Sequence, residues 1–183
     1  MNILITGGAG FIGSHLAEEL LARGDKVVVL DDLSTGRFEN IRHLEGNKHF
    51  SLVAGSILEE ELTEELIKGS DMVYHLAAAV GVKYVVDDPL KSIHINVLGT
   101  ENVLRSCARW MRKVFVASTS EVYGKGNGAP FNEDDDLLMG PTPSLRWSYA
   151  CSKALDEYMA LAYFKKYRLP VVIGRFFNTC GPR

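Results

Sequence analysis

Short apolar runs alternate along the chain with longer segments whose apolar positions recur every three or four residues. The runs at 2–6 (NILIT), 26–31 (KVVVLD), 49–55 (HFSLVAG), 71–77 (DMVYHLA), 112–118 (RKVFVAS) and 169–176 (LPVVIGRF) have the length and Val/Ile/Leu content of strands. Helical periodicity marks the segments at 11–24, 60–69, 93–110 and 148–166. Strands that are apolar throughout, rather than at alternate positions, are buried on both faces. The pattern therefore predicts an α/β fold, a doubly wound parallel sheet with helices on both faces. The interval 124–146, with four glycines, three prolines and the run NEDDD, reads as a surface loop between the fifth strand and the last helix. Loops at strand ends are where such sheets bind ligands.

Bulk properties narrow the classes without choosing among them. The 183 residues suit one domain and can bury a substantial core. With 20 Lys+Arg against 23 Asp+Glu the net charge is −3, which gives no basic surface for nucleic acid or for an acidic membrane. No basic leader with an apolar core opens the chain, and no run nears the roughly 20 apolar residues of a membrane span, so the expected location is cytoplasmic. Cys107, Cys151 and Cys180 are odd in number and form no CxxC pair. They are expected to be reduced residues in or near the core, with neither a disulfide framework nor a metal site.

The first strand runs straight into TGGAGFIGSHL. Gly7, Gly10 and Gly13 give G-x-x-G-x-x-G, and Gly8, Gly10 and Gly13 give G-x-G-x-x-G, so the glycines alone do not choose a variant. A strand before them and an amphipathic helix after them make the context specific to a dinucleotide turn. Missing side chains admit a tight bend and a close pyrophosphate, and the helix N-terminus faces the anion. The second strand ends at Asp31, 18 residues beyond Gly13, near the interval expected for a carboxylate that accepts from ribose hydroxyls. Asp32 beside it adds a second negative charge, which disfavours a 2′-phosphate and points to NAD over NADP, although Arg37 lies close in sequence. Asp32 also suits a turn or the cap of LSTGRFEN.

Tyr149 and Lys153, in RWSYACSKALDEY, are four residues apart and share one face of a helix. An ammonium beside a phenol favours phenolate, which is one way to ready a tyrosine as a general base. The plainer reading of this spacing is a half-buried ring with a solvated amine draped over it. Upstream, Ser118, Thr119 and Ser120 close the fifth strand, where a hydroxyl can hold a substrate oxygen or simply serve the loop. Glu121 next to them is a candidate acid or base, or a hydrogen-bonded strand-end carboxylate.

In this order the blocks ITGGAGFIGSHL, VVLDDLSTG, VYHLAA, NVLGTENVL, ASTSEVYG, YACSK and GRFFNTCGPR resemble the extended short-chain dehydrogenase/reductases, in the NAD-dependent epimerase/dehydratase branch that holds nucleotide-sugar epimerases and UDP-glucuronate decarboxylases. The resemblance spans the whole chain and implies a Rossmann-type NAD-binding domain over 1–183, with a smaller substrate domain expected after 183. It implies that Gly7, Gly10, Phe11, Ile12, Asp31, Asp32, Ser34, Thr35, Gly36, Ser56, Ile57, Leu76, Ala77 and Ala78 line the NAD site. Asn96 matches a helix position that supports the site and is counted with the cofactor-binding residues. Thr119 matches the catalytic hydroxyl, Tyr149 the base, Lys153 the contact to the nicotinamide ribose, and Phe176 and Asn178 positions beside nicotinamide and substrate. Ser56 departs from the pattern, which usually has an aspartate there for the adenine amino group.

The implied chemistry is oxidation of a sugar hydroxyl, usually at C4, with Tyr149 taking the proton and NAD the hydride. The keto sugar is then turned over and reduced, decarboxylated or dehydrated, and NAD is regenerated. Dehydratases of the family carry an aspartate where Ser120 stands, which disfavours dehydration. Thr119-Ser120-Glu121 and RWSYACSK resemble decarboxylases and some epimerases. The expected function is a nucleotide-sugar epimerase/decarboxylase. A short-chain reductase of a non-sugar substrate and a non-catalytic NAD-binding module are the alternatives. Apolar positions Val97, Leu104, Tyr158 and Leu161 exceed what one sheet face would bury, and the family commonly pairs these two helices in a homodimer.

Overall fold

Among the described residues, six strands of four to seven residues, rich in β-branched side chains, all pair in parallel. The computed structural model describes residues 1–81, 87–126 and 130–182. The strands are β1 (Asn2–Thr6), β2 (Lys26–Asp31), β3 (Phe50–Ala54), β4 (Met72–His75), β5 (Lys113–Thr119) and β6 (Val171–Phe176), in the spatial order β3-β2-β1-β4-β5-β6. Strand order reverses between β1 and β4, so the connections leaving these two strands diverge to opposite sides and open a crevice at their carboxyl ends. Register along β1 is Ile3 with Val27 on one side and Ile3 with Met72 on the other.

Among the described residues the α-helices are α1 (Phe11–Ala22), α2 (Glu60–Lys68), α3 (Pro89–Ile93), α4 (Gly99–Trp110) and α5 (Trp147–Tyr167). Two apolar clusters separate the faces of the sheet. One joins Leu4, Leu30, Val73, Val114 and Val116 of the strands to Ile67 of α2, Val103 and Leu104 of α4 and Ala160 of α5. The other joins Ile3, Ile5, Val27 and Val29 to Ala17 and Leu20 of α1 and to Ile41 and Leu44 beside two short 3-10 turns. Side chains that point alternately up and down from continuously apolar strands thus feed two cores.

Several expectations are revised here. The helix expected at 93 begins at Pro89, with Asp88 as its cap accepting from the Lys91 amide at 3.0 Å. Proline at the first position and aspartate before it are start signals that the apolar periodicity outweighed in the sequence reading. A π-helical turn, His94–Leu98, joins α3 to α4. Residues 120–123 form a 3-10 turn after β5, so Glu121 does not end a strand. Cys107 is buried as expected, but Cys151 and Cys180 are exposed. Leu104 is fully buried in the core, whereas Tyr158 and Leu161 are exposed at 64% and 54%. Among the described residues no group of His, Cys, Asp and Glu is arranged to hold a metal, and no helix is long and apolar enough to cross a membrane.

Candidate active site

A cleft of about 860 Å³ runs along the carboxyl ends of the strands, from the end of β2 across β1 and β4 to the ends of β5 and β6. The glycine turn forms its floor. Gly7 has φ +73°, and a β-carbon there would stand 2.7 Å from the Ala77 amide nitrogen, so both its conformation and its neighbour demand glycine. At Gly13 a β-carbon would stand 2.6 Å from the Gly8 α-carbon, so this residue lets α1 seat against the turn. Gly10 caps α1 without a side-chain hydrogen bond, and the first turn carries no acidic residue. The leading amides of α1 thus present bare donors and a positive dipole end to the cleft.

Asp31 closes the far side. Its two oxygens accept from the Ala9 amide at 2.8 Å and the Leu33 amide at 2.9 Å, pinning the glycine turn to the end of β2. Burial raises its pKa, against the pull of these two amides. Each oxygen keeps a second lone pair for a hydroxyl donor. Asp32 is exposed and accepts from both the amide and the hydroxyl of Ser34, at 3.0 and 2.6 Å, which is the turn role the sequence allowed. Ser34, Thr35 and Gly36 complete this rim. Ser56 lines the cleft with its hydroxyl accepting from the Leu58 amide at 3.2 Å, so it opens the turn into α2 where the family pattern has an aspartate.

At the other end Thr119, Ser120, Glu121, Tyr149, Lys153, Phe176 and Asn178 line one continuous wall. Thr119 sits at the end of β5 and accepts from the Glu121 amide at 3.2 Å, which turns the chain so that Glu121 also faces the cleft. Tyr149 and Lys153 do share a face of α5. The expected effect of the ammonium on the phenol is not found. Tyr149 is pushed up to about 12, first by burial, then by the negative charge of Glu121, with Thr119 pulling the other way and Asp156 adding to the rise. Lys153 is bound to Asp156 at 2.7 Å, with side-chain exposures of 3% and 0%.

Two further placements differ from the sequence reading. Asn96 does not line the cleft. The π-helical turn carries it inward, where its side-chain oxygen accepts from the Ala79 amide at 2.8 Å and its nitrogen donates to the Ser152 hydroxyl at 3.1 Å. It therefore fixes the loop after β4 to α5, behind the wall that Ala77 and Ala78 form. Ser118 donates to Glu157 at 2.5 Å, and Glu157 is also held by Arg175 at 2.8 Å, so the Ser118 hydroxyl is committed to a strut between β5, α5 and β6.

Residues missed in the sequence reading include Arg146, Phe177 and Thr179 in the wall, and Asp156 behind it. Asp156 lies three residues after Lys153 in RWSYACSKALDEY, but a carboxylate at that spacing is ordinarily solvated. His75 was also missed. It is buried between Thr6, 2.8 Å from Nδ1, and Thr100, 3.0 Å from Nε2.

A family model described as GDP-mannose 4,6 dehydratase matches residues 4–183. UDP-N-acetyl-alpha-D-glucosaminuronate decarboxylase of Bacillus cytotoxicus is 48% identical over 180 residues, covering 98% of this chain and 55% of that protein. UDP-glucuronic acid decarboxylase 1 of Arabidopsis thaliana is 39% identical over 183 residues, covering 100% of this chain and 41% of that protein. The crystal structure of UDP-glucuronic acid 4-epimerase from Bacillus cereus, in complex with UDP-glucuronic acid and NAD, superposes with a TM-score of 0.89 at 34% identity, covering 100% of this chain and 58% of that one. The chain thus spans about half the length of the curated relatives it matches. With the match over residues 4–183, the reversal of strand order and the Thr119/Tyr149/Lys153 wall, the chain belongs to the GDP-mannose 4,6-dehydratase family, within the extended short-chain dehydrogenase/reductases.

Proposed function

We propose that this chain carries the NAD site and catalytic side chains of a nucleotide-sugar epimerase/decarboxylase that oxidises a sugar C4 hydroxyl to a transient ketone. The observation that carries the proposal is one cleft that holds a bare helix N-terminus, Asp31 and the Tyr149/Lys153 face together. The donor set fits NAD. Backbone amides of α1 suit a pyrophosphate, the cradle at Gly7 and Gly10 is one that side chains would fill, and the carboxylates of Asp31 and Asp32 suit ribose hydroxyls and repel a 2′-phosphate. Bound NAD supplies a hydride acceptor that later returns the hydride, and it brings a positive charge.

This chain's residues handle the proton and the sugar. Thr119 orients the sugar hydroxyl beside the Tyr149 phenol oxygen, which removes the proton. Ser120 contributes a second hydroxyl, and Asn178 an amide. Glu121 is placed to move a further proton once the ketone has formed. Arg146, on the same wall, offers a cation to an anionic sugar. The three relatives named above act, by their names, on UDP-linked uronic acids, which favours such a substrate here. A ketone at C4 of a uronate is β to the carboxylate, so the same oxidation serves decarboxylation and epimerisation. Ser120 in place of an aspartate disfavours dehydration. A non-sugar reductase would not need the Thr119-Ser120-Glu121 arrangement, and a sensor would not need the buried Lys153. The exposed stripe Leu155, Tyr158 and Leu161 supports a homodimer through α5.

Product analysis by mass and proton NMR, with UDP-glucuronate and NAD supplied to the full-length protein, tests this reading. Loss of carbon dioxide or inversion at C4 is expected, and an unchanged sugar overturns it.

A further inference from the structure

Tyr149, Lys153 and Asp156 recur at intervals of four and three, so all three project from one face of α5 over two turns. The Lys153 ammonium and the Asp156 carboxylate are 2.7 Å apart, and neither side chain has appreciable contact with water. A buried charge without a partner is expensive, so these two side chains fix one another's positions. The Thr100 hydroxyl, bonded to His75 at 3.0 Å, lies near the carboxylate and favours its charged form, while the Asp156 Oδ1 is buried with no hydrogen-bond partner among the described residues. Other titratable groups act on the pair: His75 from β4, and Glu157 on α5 itself, whose charge is taken up by Arg175 of β6; Glu121, from the turn after β5, acts on Tyr149. On the outer side α4 contributes Glu101, which accepts from Tyr163 rather than reaching the pair.

We propose that Asp156 is a positioning residue for the catalytic face, holding the Lys153 ammonium and neutralising its field so that Tyr149 is kept as a phenol in the open cleft. The proposal deepens the reading of Tyr149 as the base and rests on it. An opposed pair of charges beside the phenol has little net field, whereas a lone ammonium would favour phenolate. Tyr149 instead feels burial, Glu121 and Asp156. The charge that readies Tyr149 therefore enters the cleft with its ligands. Lys153 remains able to meet a ribose, because an ammonium has three donors and Asp156 occupies one.

The test is the alkaline titration of Tyr149 in the protein free of substrate and cofactor, read as phenolate absorbance with the Tyr149→Phe protein subtracted. Asp156→Asn is expected to lower the midpoint by about one to three pH units, bringing phenolate into view near pH ~10 where the unsubstituted protein shows phenol. Asp156→Glu, which restores the charge, is expected to return the midpoint toward the unsubstituted value. An unchanged midpoint in folded Asp156→Asn protein, with only thermal stability reduced, overturns the proposal and leaves Asp156 a structural residue. If Asp156→Asn does not fold, nitrogen-15 NMR of the unsubstituted protein decides. A Lys153 ammonium signal, assigned by its loss in Lys153→Met, is expected to be protected from solvent exchange at neutral pH, and exchange as fast as that of surface lysines overturns the proposal. No sugar or cofactor is present, so a wrong substrate assignment leaves these readings intact.

Discussion

His75 ends β4 with both ring nitrogens engaged by threonines and no exposure to water, and its pKa is held down to about 3, first by burial and then by the Lys153 ammonium. Because the folded value lies below the unfolded one of about 6.5, the unfolded chain binds more protons below that pH. The neutral imidazole's contribution is present above pH ~6.5 and is lost as pH falls toward the folded value, at up to about 1.4 kcal/mol per pH unit. Asp31 and Asp156 act with the opposite sign, since their raised values mean that protonation relieves a cost of burial. His75→Gln, which can keep both hydrogen bonds, is expected to flatten the loss of stability just below pH ~6.5 in denaturant titrations. At this scale the sequence was only half legible. The spacing of Tyr149 and Lys153 put them on one face, but which carboxylate takes the ammonium depends on what packs over the helix, and no local spacing encodes that.

At the scale of elements the glycine turn was the most legible feature, because its demands are local: a bend at Gly7 and room at Gly13 for α1 to approach. Gly13→Ala sets a β-carbon 2.6 Å from the Gly8 α-carbon and is expected to cost about 1–3 kcal/mol of stability by displacing α1, read from urea unfolding, and to weaken NAD binding at the same time. The strands were also readable: the central ones because a buried parallel strand must be apolar throughout, and the half-exposed edge strands β3 and β6 by their short Val/Ile/Leu/Phe runs. The π-helical turn was not. A period that shifts from 3.6 residues over His94–Leu98 is invisible in a pattern of apolar positions, yet it is what carries Asn96 behind the wall between Ala79 and Ser152. Leu104 shows the same limit from the other side, since an apolar residue on a helix of mixed pattern gives no sign of whether it faces the sheet or the outside.

At the scale of the whole molecule, the side chains that oppose one another across the cleft come from the strand ends and from α5, and only the fold brings them together. Asp31 and Tyr149, 118 residues apart in sequence, line the same cleft because strand order reverses between β1 and β4. The outer face of α5 leaves Leu155, Tyr158 and Leu161 exposed at 45%, 64% and 54%, in register one turn apart. The account predicts that light scattering gives the mass of two chains at micromolar protein and that Tyr158→Glu with Leu161→Glu gives the mass of one. A single-chain mass without these substitutions would contradict the dimer. The central claim, that the Tyr149 face oxidises a nucleotide sugar, is tested most directly by comparing full-length protein with its Tyr149→Phe variant, measuring NAD affinity and the product formed from UDP-glucuronate in parallel. The account predicts unchanged NAD affinity with turnover lowered by about 10²-fold or more in the variant. Equal turnover by both proteins, or no turnover by either with any UDP-linked sugar, would contradict it.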